Sequence, residues 1–294
     1  MSLSFRTAVT ATTQQPFSLN NMSFSPEELE RYTRQLILKD VGAKGQRKIK
    51  DGKVLVIGAG GLGSTAIMYL AAAGVGTLGI ADADCVDLTN LQRQIIHTTD
   101  DLGVPKVESA VATVKALNPN VEVVTYKEFV TAENIKGIIE PYDFIIDATD
   151  NFPAKYLIND ACVLFEKPFS HAGILRFEGQ MTTYLPGEGP CFRCMFPVPP
   201  PPELSPTCKE AGIIGAVPGV VGSLQAVEAI KFLTGAGDLL VGKLLIIDLL
   251  TMEFHTVNMP REESCPICGK EPVITSLVEY EQTVCDLKGI LEDE

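Results

Sequence analysis

Histidine is scarce in this sequence, and this scarcity limits the chemistry that the chain can offer. The 294 residues include 3 histidines. These are His97, His171 and His255, which stand far apart and show neither the spacing of a metal site nor that of a catalytic triad. No Ser-His-Asp mechanism can be argued from them.

Basic residues are also fewer than acidic ones. Lys and Arg number 24 against 37 Asp and Glu, which gives a formal net charge of -13, and this balance argues against nucleic acid as the main partner. No internal repeat is present. The most apolar stretch, residues 211–230, contains Pro218, Glu228 and four glycines, which argue against a membrane span. We therefore expect neither a nucleic-acid nor a membrane partner.

Cysteine content indicates the cellular setting. With 8 cysteines, the chain has too few for a disulfide scaffold, and no secretory signal precedes them, so we expect a cytoplasmic protein. Residues 1–22 are rich in Ser, Thr and Gln and are predicted to be disordered. Residues 23–270 are predicted to form one domain, and residues 271–294 an acidic tail.

Hydrophobic patterning predicts an α/β fold. Strands are expected at 54–57, 77–81, 121–125 and 143–147, and helices between them at 62–73, 106–118 and 132–139. This alternation implies a doubly wound, Rossmann-like, mostly parallel sheet. Further strands at 180–185, 244–248 and 254–257 indicate an antiparallel continuation of the same sheet.

A glycine-rich turn after the first strand is a candidate nucleotide site. The run from Val54 to Gly63 reads VLVIGAGGLG. Its glycines let the backbone approach phosphate oxygens, and the following helix offers free N–H groups to negative charge. Asp82, at the end of the next strand, is placed to accept hydrogen bonds from ribose hydroxyls. The motif alone does not separate a dinucleotide from ATP. Its candidate binding residues are Gly58, Gly60, Gly61 and Gly63.

Cations near this turn favour a triphosphate. ATP brings more charge than a dinucleotide, and in an acidic chain that charge needs local cations. Arg93, in the segment from Asn90 to Gln94, is one candidate. Lys106 and the upstream Arg34 are two more. Each by itself could be an ordinary surface cation, but the set indicates ATP.

A second acid follows the strand at 143–147. Asp150 lies at the carboxyl end of the sheet, where α/β ligands bind, and one carboxylate plus substrate phosphates is enough to hold magnesium. Asp150 is therefore predicted to bind magnesium. The alternative is an N-cap for the helix that begins near Phe152, which Asp150 or Asn151 could provide.

Two Cys-x-x-Cys pairs are predicted to form a metal site. The pairs are Cys191 with Cys194 and Cys265 with Cys268. Four thiolates in two such pairs can hold zinc tetrahedrally, and the ion would fasten two distant segments. A thioredoxin-like redox pair is the alternative, but two copies favour structural zinc.

Together these features resemble the ThiF/MoeB/HesA family, relatives of the adenylation module of ubiquitin-activating enzymes. The resemblance covers residues 31–269. It rests on the glycine loop, Asp82, Asp150, the two cysteine pairs and the segments RYTRQ (31–35), NLQRQ (90–94), PK (105–106), TDN (149–151), FEGQ (177–180) and CKEAG (208–212).

The resemblance implies an enzyme that uses ATP to adenylate the C-terminal Gly-Gly carboxylate of a ubiquitin-like sulfur carrier, ThiS-like or MoaD-like. It also implies a homodimer, in which the partner subunit supplies Arg34 to each site. The residues implied to hold or activate ATP are Arg34, Asp82, Asn90, Arg93, Lys106 and Asp150.

Four cysteines lie outside the two pairs. Cys85 and Cys162 are expected to be packed thiols in apolar surroundings, and Cys285 has no expected function. Cys208 matches the family's loop cysteine, which links covalently to the activated carrier in some members and is dispensable in others. Its thiolate would be the nucleophile, and Lys209 could lower its pKa.

Three matters stay open. An NAD-dependent oxidoreductase would explain the glycine loop and Asp82 but leave Arg93, Lys106 and Cys208 without a role. A non-catalytic scaffold for a ubiquitin-like protein is a third possibility. The pathway, thiamine or molybdenum-cofactor synthesis, is undecided. The chain ends soon after Gly269, so we expect a separate sulfur donor protein.

Overall fold

The centre of the molecule is one eight-stranded sheet with the strand order β3-β2-β1-β4-β5-β6-β7-β8. The computed structural model describes residues 24–199 and 212–280. The predicted disorder of residues 1–22, Cys208 and Cys285 lie outside the described residues. The strands are β1 (Lys53–Ile57), β2 (Thr77–Ala81), β3 (Glu122–Tyr126), β4 (Phe144–Asp147), β5 (Phe169–Leu175), β6 (Glu178–Tyr184), β7 (Lys243–Asp248) and β8 (Glu253–Asn258).

Helices cover both faces of this sheet. In the described part of the chain they are α1 (Pro26–Arg31), α2 (Thr33–Leu36), α3 (Gly42–Asp51), α4 (Gly61–Ala73), α5 (Lys106–Leu117), α6 (Ile135–Ile139), α7 (Phe152–Leu164), α8 (Phe192–Met195) and α9 (Ala216–Thr234).

The sheet changes from parallel to antiparallel at β5. Strands β3, β2, β1, β4 and β5 pair in parallel, because helical crossovers connect them. Strands β5 to β8 pair antiparallel, and the tight turn between β5 and β6 places Arg176 at a φ of 54°. The prediction of a doubly wound, mostly parallel sheet continued by antiparallel strands is confirmed.

Two hydrophobic cores lie on opposite faces of the sheet, because successive side chains of a strand point to opposite sides. In β1, Val54 and Val56 belong to the first core, with residues of α4, α5 and α9. Leu55 and Ile57 belong to the second core, with residues of α6 and α7. The four cysteines of the two pairs are part of the second core.

Helix α9 has the length and apolar composition that a membrane crossing would need. It nevertheless packs on the sheet, with Val221 and Ala226 buried in the first core. Its Gln225 Nε2 donates to the backbone oxygen of Asp147 at 2.9 Å. Glu228 is also buried. These are the contacts of a core helix.

The structure corrects two local expectations. Helix α6 begins at Ile135, later than predicted, because Thr131 N donates to Asn134 Oδ1 at 2.7 Å and the preceding residues form a turn. Cys85 is exposed and not packed. It follows β2 on a surface segment, where a backbone bridge to Pro105 holds it. Cys162 is buried, as predicted.

The described residues after the second cysteine pair, 269–280, pack on the body of the protein. Ile274, Leu277 and Tyr280 pack against the second core. The division of the chain after residues 22 and 270 remains a prediction.

Candidate active site

The glycine loop joins β1 to α4 in a conformation that requires glycine. Gly58 has a φ of 100°, and a Cβ there would lie 2.8 Å from the backbone oxygen of Ala148. A Cβ on Gly63 would lie 1.9 Å from the backbone oxygen of Gly58. The loop therefore packs tightly between β1 and the chain that follows β4, and the first N–H groups of α4, which have no partner within the helix, are the kind that can bind an anion.

Asp82, at the carboxyl end of β2, braces this loop. Its Oδ2 accepts a hydrogen bond from Ala59 N at 2.8 Å, and its Oδ1 accepts one from Asp84 N at 2.9 Å. Burial raises the pKa of the Asp82 carboxyl, although Lys106 and the two backbone donors oppose that shift. A carboxylate has about four lone-pair sites, so two remain for further donors.

Two predicted cations stand beside the loop. Lys106, the first residue of α5, is buried, with its Nζ 2.8 Å from Asp84 Oδ2 and 3.9 Å from Asp82 Oδ2. Arg93 Nη1 donates to the backbone oxygen of Thr89 at 3.1 Å. A Cβ on Gly61 would lie 3.5 Å from Arg93 Cγ, so this arginine lies against the loop.

These groups meet in one cavity of about 280 Å³ at the carboxyl ends of the central strands. Of the predicted site residues, those that line it are Gly58, Gly60, Gly61, Asp82, Arg93, Lys106 and Asp150.

Asp150 is an exposed carboxylate at the rim of this cavity. The N-cap of α7 is Asn151, whose Oδ1 accepts from Ala154 N at 2.9 Å. Within the part of the chain that the structure describes, no hydrogen bond involves the Asp150 side chain. The capping alternative therefore belongs to Asn151, and Asp150 lines the cavity with no hydrogen bond to another described side chain or backbone group.

Among the described residues, three further predicted nucleotide-site residues do not line the cavity. Arg34 is exposed on α2. Asn90 Oδ1 accepts from Asp87 N at 3.1 Å and closes the turn that leads to Arg93. Gly63 acts through the packing of α4 on β1. Cys208 lies outside the described residues.

Two residues near the site were given no role by the sequence analysis: Gln94, which lines the cavity, and His97, which contacts the glycine loop. Gln94 is 4% exposed and lines the cavity, and its Oε1 has no hydrogen-bond partner among the described residues. His97 Nε2 lies 3.1 Å from the backbone oxygen of Ala59, and its Nδ1 lies 2.8 Å from Ser109 Oγ. The segment NLQRQ already contained Gln94. No sequence pattern around His97 indicates that it contacts the glycine loop.

A buried charged cluster lies beneath the Asp150 turn and was also not predicted. Asp147 Oδ2 lies 3.1 Å from Lys155 Nζ and 2.8 Å from His171 Nδ1. Its Oδ1 accepts from Thr149 N at 3.0 Å and from Thr149 Oγ1 at 2.6 Å. Burial by itself would raise the pKa of Asp147, but Lys155 and His171 outweigh it and the pKa is lowered. The cluster fixes the strand end from which Asp150 projects.

The four paired cysteines come together as predicted. The Cys191 and Cys265 sulfurs are 3.6 Å apart, the Cys194 and Cys268 sulfurs are 3.4 Å apart, and all four lie within 4.8 Å of one another. A tetrahedral ion with metal–sulfur distances of about 2.3 Å places its ligands about 3.8 Å apart. The cluster therefore fits a four-thiolate metal site. Glu262 N also points to Cys194 Sγ at 3.5 Å.

Comparisons with known proteins agree with this geometry. The ThiF family matches residues 32–267. A relative from Thermus thermophilus, named sulfur carrier protein adenylyltransferase, is 48% identical over 272 residues, which are 91% of this chain and 100% of the relative. A relative from Anopheles gambiae, named adenylyltransferase and sulfurtransferase MOCS3, is 44% identical over 91% of this chain, which spans 60% of that protein.

Two solved structures share the fold. PaaA superposes with a TM-score of 0.72 at 27% identity, over 85% of this chain and 79% of its own. The E. coli MccB structure with ATP superposes with a TM-score of 0.73 over 86% of this chain and 77% of its own, and at 24% identity it supports the fold alone. Because the family match spans well over half of the chain and the Thermus relative aligns over its whole length, this chain belongs to the ThiF family.

Proposed function

We propose that this chain uses ATP and magnesium to adenylate the C-terminal Gly-Gly carboxylate of a ubiquitin-like sulfur-carrier protein. The prediction of a sulfur-carrier adenylyltransferase is confirmed by the ThiF match and by the name of the Thermus relative, which favour it over an NAD-dependent oxidoreductase. The observation that carries the detailed proposal is that the glycine loop, Asp82, Arg93, Lys106 and Asp150 line one cavity.

The proposed reaction needs no covalent bond to the protein at its first step. A carrier carboxylate oxygen attacks the α-phosphorus of ATP, a new phosphorus–oxygen bond forms, and the bond to pyrophosphate breaks. The protein must hold the two reactants in line and neutralise the charge that develops on the phosphates. We assign the α4 N-terminus and Arg93 to the phosphates and Asp82 to the ribose, because all three line the cavity. Lys106 lies beside Asp82 and Asp84.

Asp150 fits the proposed magnesium site because its carboxylate is exposed at the cavity rim and no other described contact occupies it. Magnesium is held in proteins by one or two carboxylates plus substrate phosphates. When bound there, the ion would offset negative charge on the triphosphate. The buried Asp147 cluster keeps the turn that carries Asp150 in place.

Zinc is the proposed ion of the four-cysteine cluster, since tetrahedral thiolate sites are typical of structural zinc. It would join α8 to the 265–268 segment on the second core. Its role would be to stabilise the fold, because the sulfurs are buried and leave no open position for a substrate.

The carrier is proposed to be ThiS-like or MoaD-like, with thiamine or molybdenum-cofactor synthesis as the pathway and a separate protein as sulfur donor. Cys208 is the proposed nucleophile if the carrier forms a covalent link. Tyr156 Oη donates to the backbone oxygens of Phe196 and Val198 at 3.0 and 2.7 Å. These bonds anchor the chain that leads into the segment with Cys208. A cytoplasmic location is part of the same proposal.

A homodimer is proposed because Arg34 stands outside its own cavity, amid exposed apolar side chains. Ile37 and Leu38, on the same segment, are 66% and 53% exposed. Tyr69 of α4 and Ile95 are exposed beside a groove formed with α9. Mixing Arg34→Ala with Asp150→Ala protein tests the shared site. Subunit exchange should restore activity, and failure to do so would contradict it.

ATP–pyrophosphate exchange in the presence of the carrier tests the function. Lys106→Ala and Arg93→Ala should each lower exchange about 100- to 1,000-fold, because charge stabilisers of this kind contribute about 2.7–4 kcal/mol. Lys127→Ala is the matched control, since Lys127 pairs with Glu108 on the exposed surface. Undiminished exchange in both variants would remove these cations from the site. Absence of pyrophosphate release with every ubiquitin-like protein of the same cell would refute the function.

A further inference from the structure

The segment that follows the second cysteine pair forms part of the wall of the nucleotide cavity. Glu279 and Tyr280 line the cavity together with Phe129 and Val130, which follow β3. The ThiF match ends at residue 267, so these two residues lie outside the matched range.

Tyr280 is held by a buried charged pair. Asp160 of α7 and Arg193 of α8 form two hydrogen bonds, Nε to Oδ1 at 2.7 Å and Nη2 to Oδ2 at 2.9 Å. Tyr280 Oη donates to Asp160 Oδ2 at 2.6 Å and accepts from Arg193 Nη2 at 2.6 Å. Burial and the Asp160 carboxylate raise the pKa of Tyr280 to about 12, so the hydroxyl stays protonated and keeps its donor role.

The same segment is tied to the other side of the cavity. Glu279 Oε1 accepts a hydrogen bond from Ala132 N at 2.5 Å, in the loop between β3 and α6. Ile274 and Leu277 pack against the second core. The segment therefore bridges the loop after β3 and the helix after β4, across the cavity mouth on the face of α6 and α7.

The strand order shows which end of a nucleotide this wall would meet. The phosphate-binding loop follows β1, and Asp82 follows the neighbouring β2. The cavity continues to Phe129 and Val130 after β3. A nucleotide with its phosphates at the loop and its ribose at Asp82 thus directs its base towards the region between the β3 loop and α7.

We propose that residues 274–280 complete the base end of the nucleotide site, with Tyr280 contacting the nucleoside and Glu279 anchoring the segment. This inference rests on the proposed function. Nucleotide binding and docking of the segment then stabilise each other, because coupling between two binding events is reciprocal.

Calorimetric titration of the full chain with ATP–magnesium and with AMP tests this inference. Tyr280→Ala should bind both nucleotides about tenfold more weakly, and by the same factor, because the lost contact is to the nucleoside. Tyr280→Phe removes the hydroxyl bonds and keeps the ring, so it should weaken both less and provides a second variant if Tyr280→Ala does not fold. Val273→Ala, on the same segment but 79% exposed, is the control and should match the wild type.

Hydrogen exchange supplies an independent readout, since amides of residues 274–280 should exchange more slowly when AMP is bound. Wild-type affinity in the folded Tyr280 variants would overturn the inference and leave the proposed function intact, as would a loss for ATP without one for AMP. A wild-type chain that binds neither nucleotide would overturn both.

Discussion

Gly63→Ala should destabilise the protein strongly, because the fold leaves no room for a side chain at this position. The new Cβ would lie 1.9 Å from the Gly58 backbone oxygen and 2.9 Å from its carbonyl carbon. Carbon and oxygen atoms in contact stand about 3.3–3.6 Å apart, so α4 must move away from β1 by more than about 1 Å. Neither side can yield easily, because Gly58 already packs against Ala148.

The cost can be bounded from the packing of α4. Leu62, Ala66, Ile67 and Leu70 of this helix are at most 3% exposed, so a shift of the helix disturbs a close-packed core. Overpacking of that kind costs about 1–3 kcal/mol, occasionally more, and here we expect about 3 kcal/mol or more. That is a large share of the roughly 5–15 kcal/mol by which domains are stable.

Urea unfolding measures the stability of Gly63→Ala, and two further glycine variants serve as its controls. Gly137→Ala meets nothing within 4 Å on α6 and should stabilise by about 0.5–1 kcal/mol. Gly60→Ala meets only Gln94 Nε2, at 3.7 Å, so it should keep stability near wild type while weakening ATP binding about tenfold, because its methyl group blocks the phosphate approach. If Gly63→Ala unfolds within 1 kcal/mol of wild type, the steric reasoning is refuted.

Three other predictions follow from buried groups. Asp147→Asn should cost about 3–5 kcal/mol in urea unfolding, because it leaves Lys155 as a buried cation without its carboxylate. Asp143→Asn, on the surface, should cost less than about 1 kcal/mol, and equal losses would contradict this. Burial lowers the pKa of His97 and His171 below the usual 6.5, so their contribution to stability is present above that pH and is lost as the pH falls below it. Unfolding free energies that do not change between about pH 7 and pH 5 would contradict this role of the two histidines. Metal analysis should find one zinc ion per chain, and chelation should lower the unfolding temperature; protein purified without any zinc would refute the assignment.

Local motifs made much of the site predictable. The glycine loop and Asp82 could be identified because each depends on residues close in sequence: a strand, a turn and a helix start. The two cysteine pairs could also be identified from the sequence. Two thiols at this spacing form one half of a metal site, wherever the other half lies in the chain. The structure brings all four cysteine sulfurs within 4.8 Å of one another, as expected.

Other contacts could not be predicted, because they join positions that only folding brings together. Cys85 follows a strand and resembles a packed thiol, yet the surface path of its segment leaves it exposed. Asp147 and His171 meet because β4 and β5 pair side by side, with these two residues in register. No spacing in the sequence encodes that neighbour relation.

The sequence by itself determined the alternation of strands and helices in the parallel half of the sheet, the glycine-rich loop and the two Cys-x-x-Cys turns, because backbone sterics and side-chain periodicity act over short stretches. Strand β5 was not predicted from the sequence. The tertiary structure decided which of these carboxylates have hydrogen-bond partners among the described residues. Asn151, and not Asp150, caps α7, while Asp147 is enclosed by Lys155 and His171. It also decided that Tyr280 reaches the cavity. The reason is physical: burial and charge pairing depend on distances across the fold, and the chain sets those distances only when its two cores have closed on the sheet.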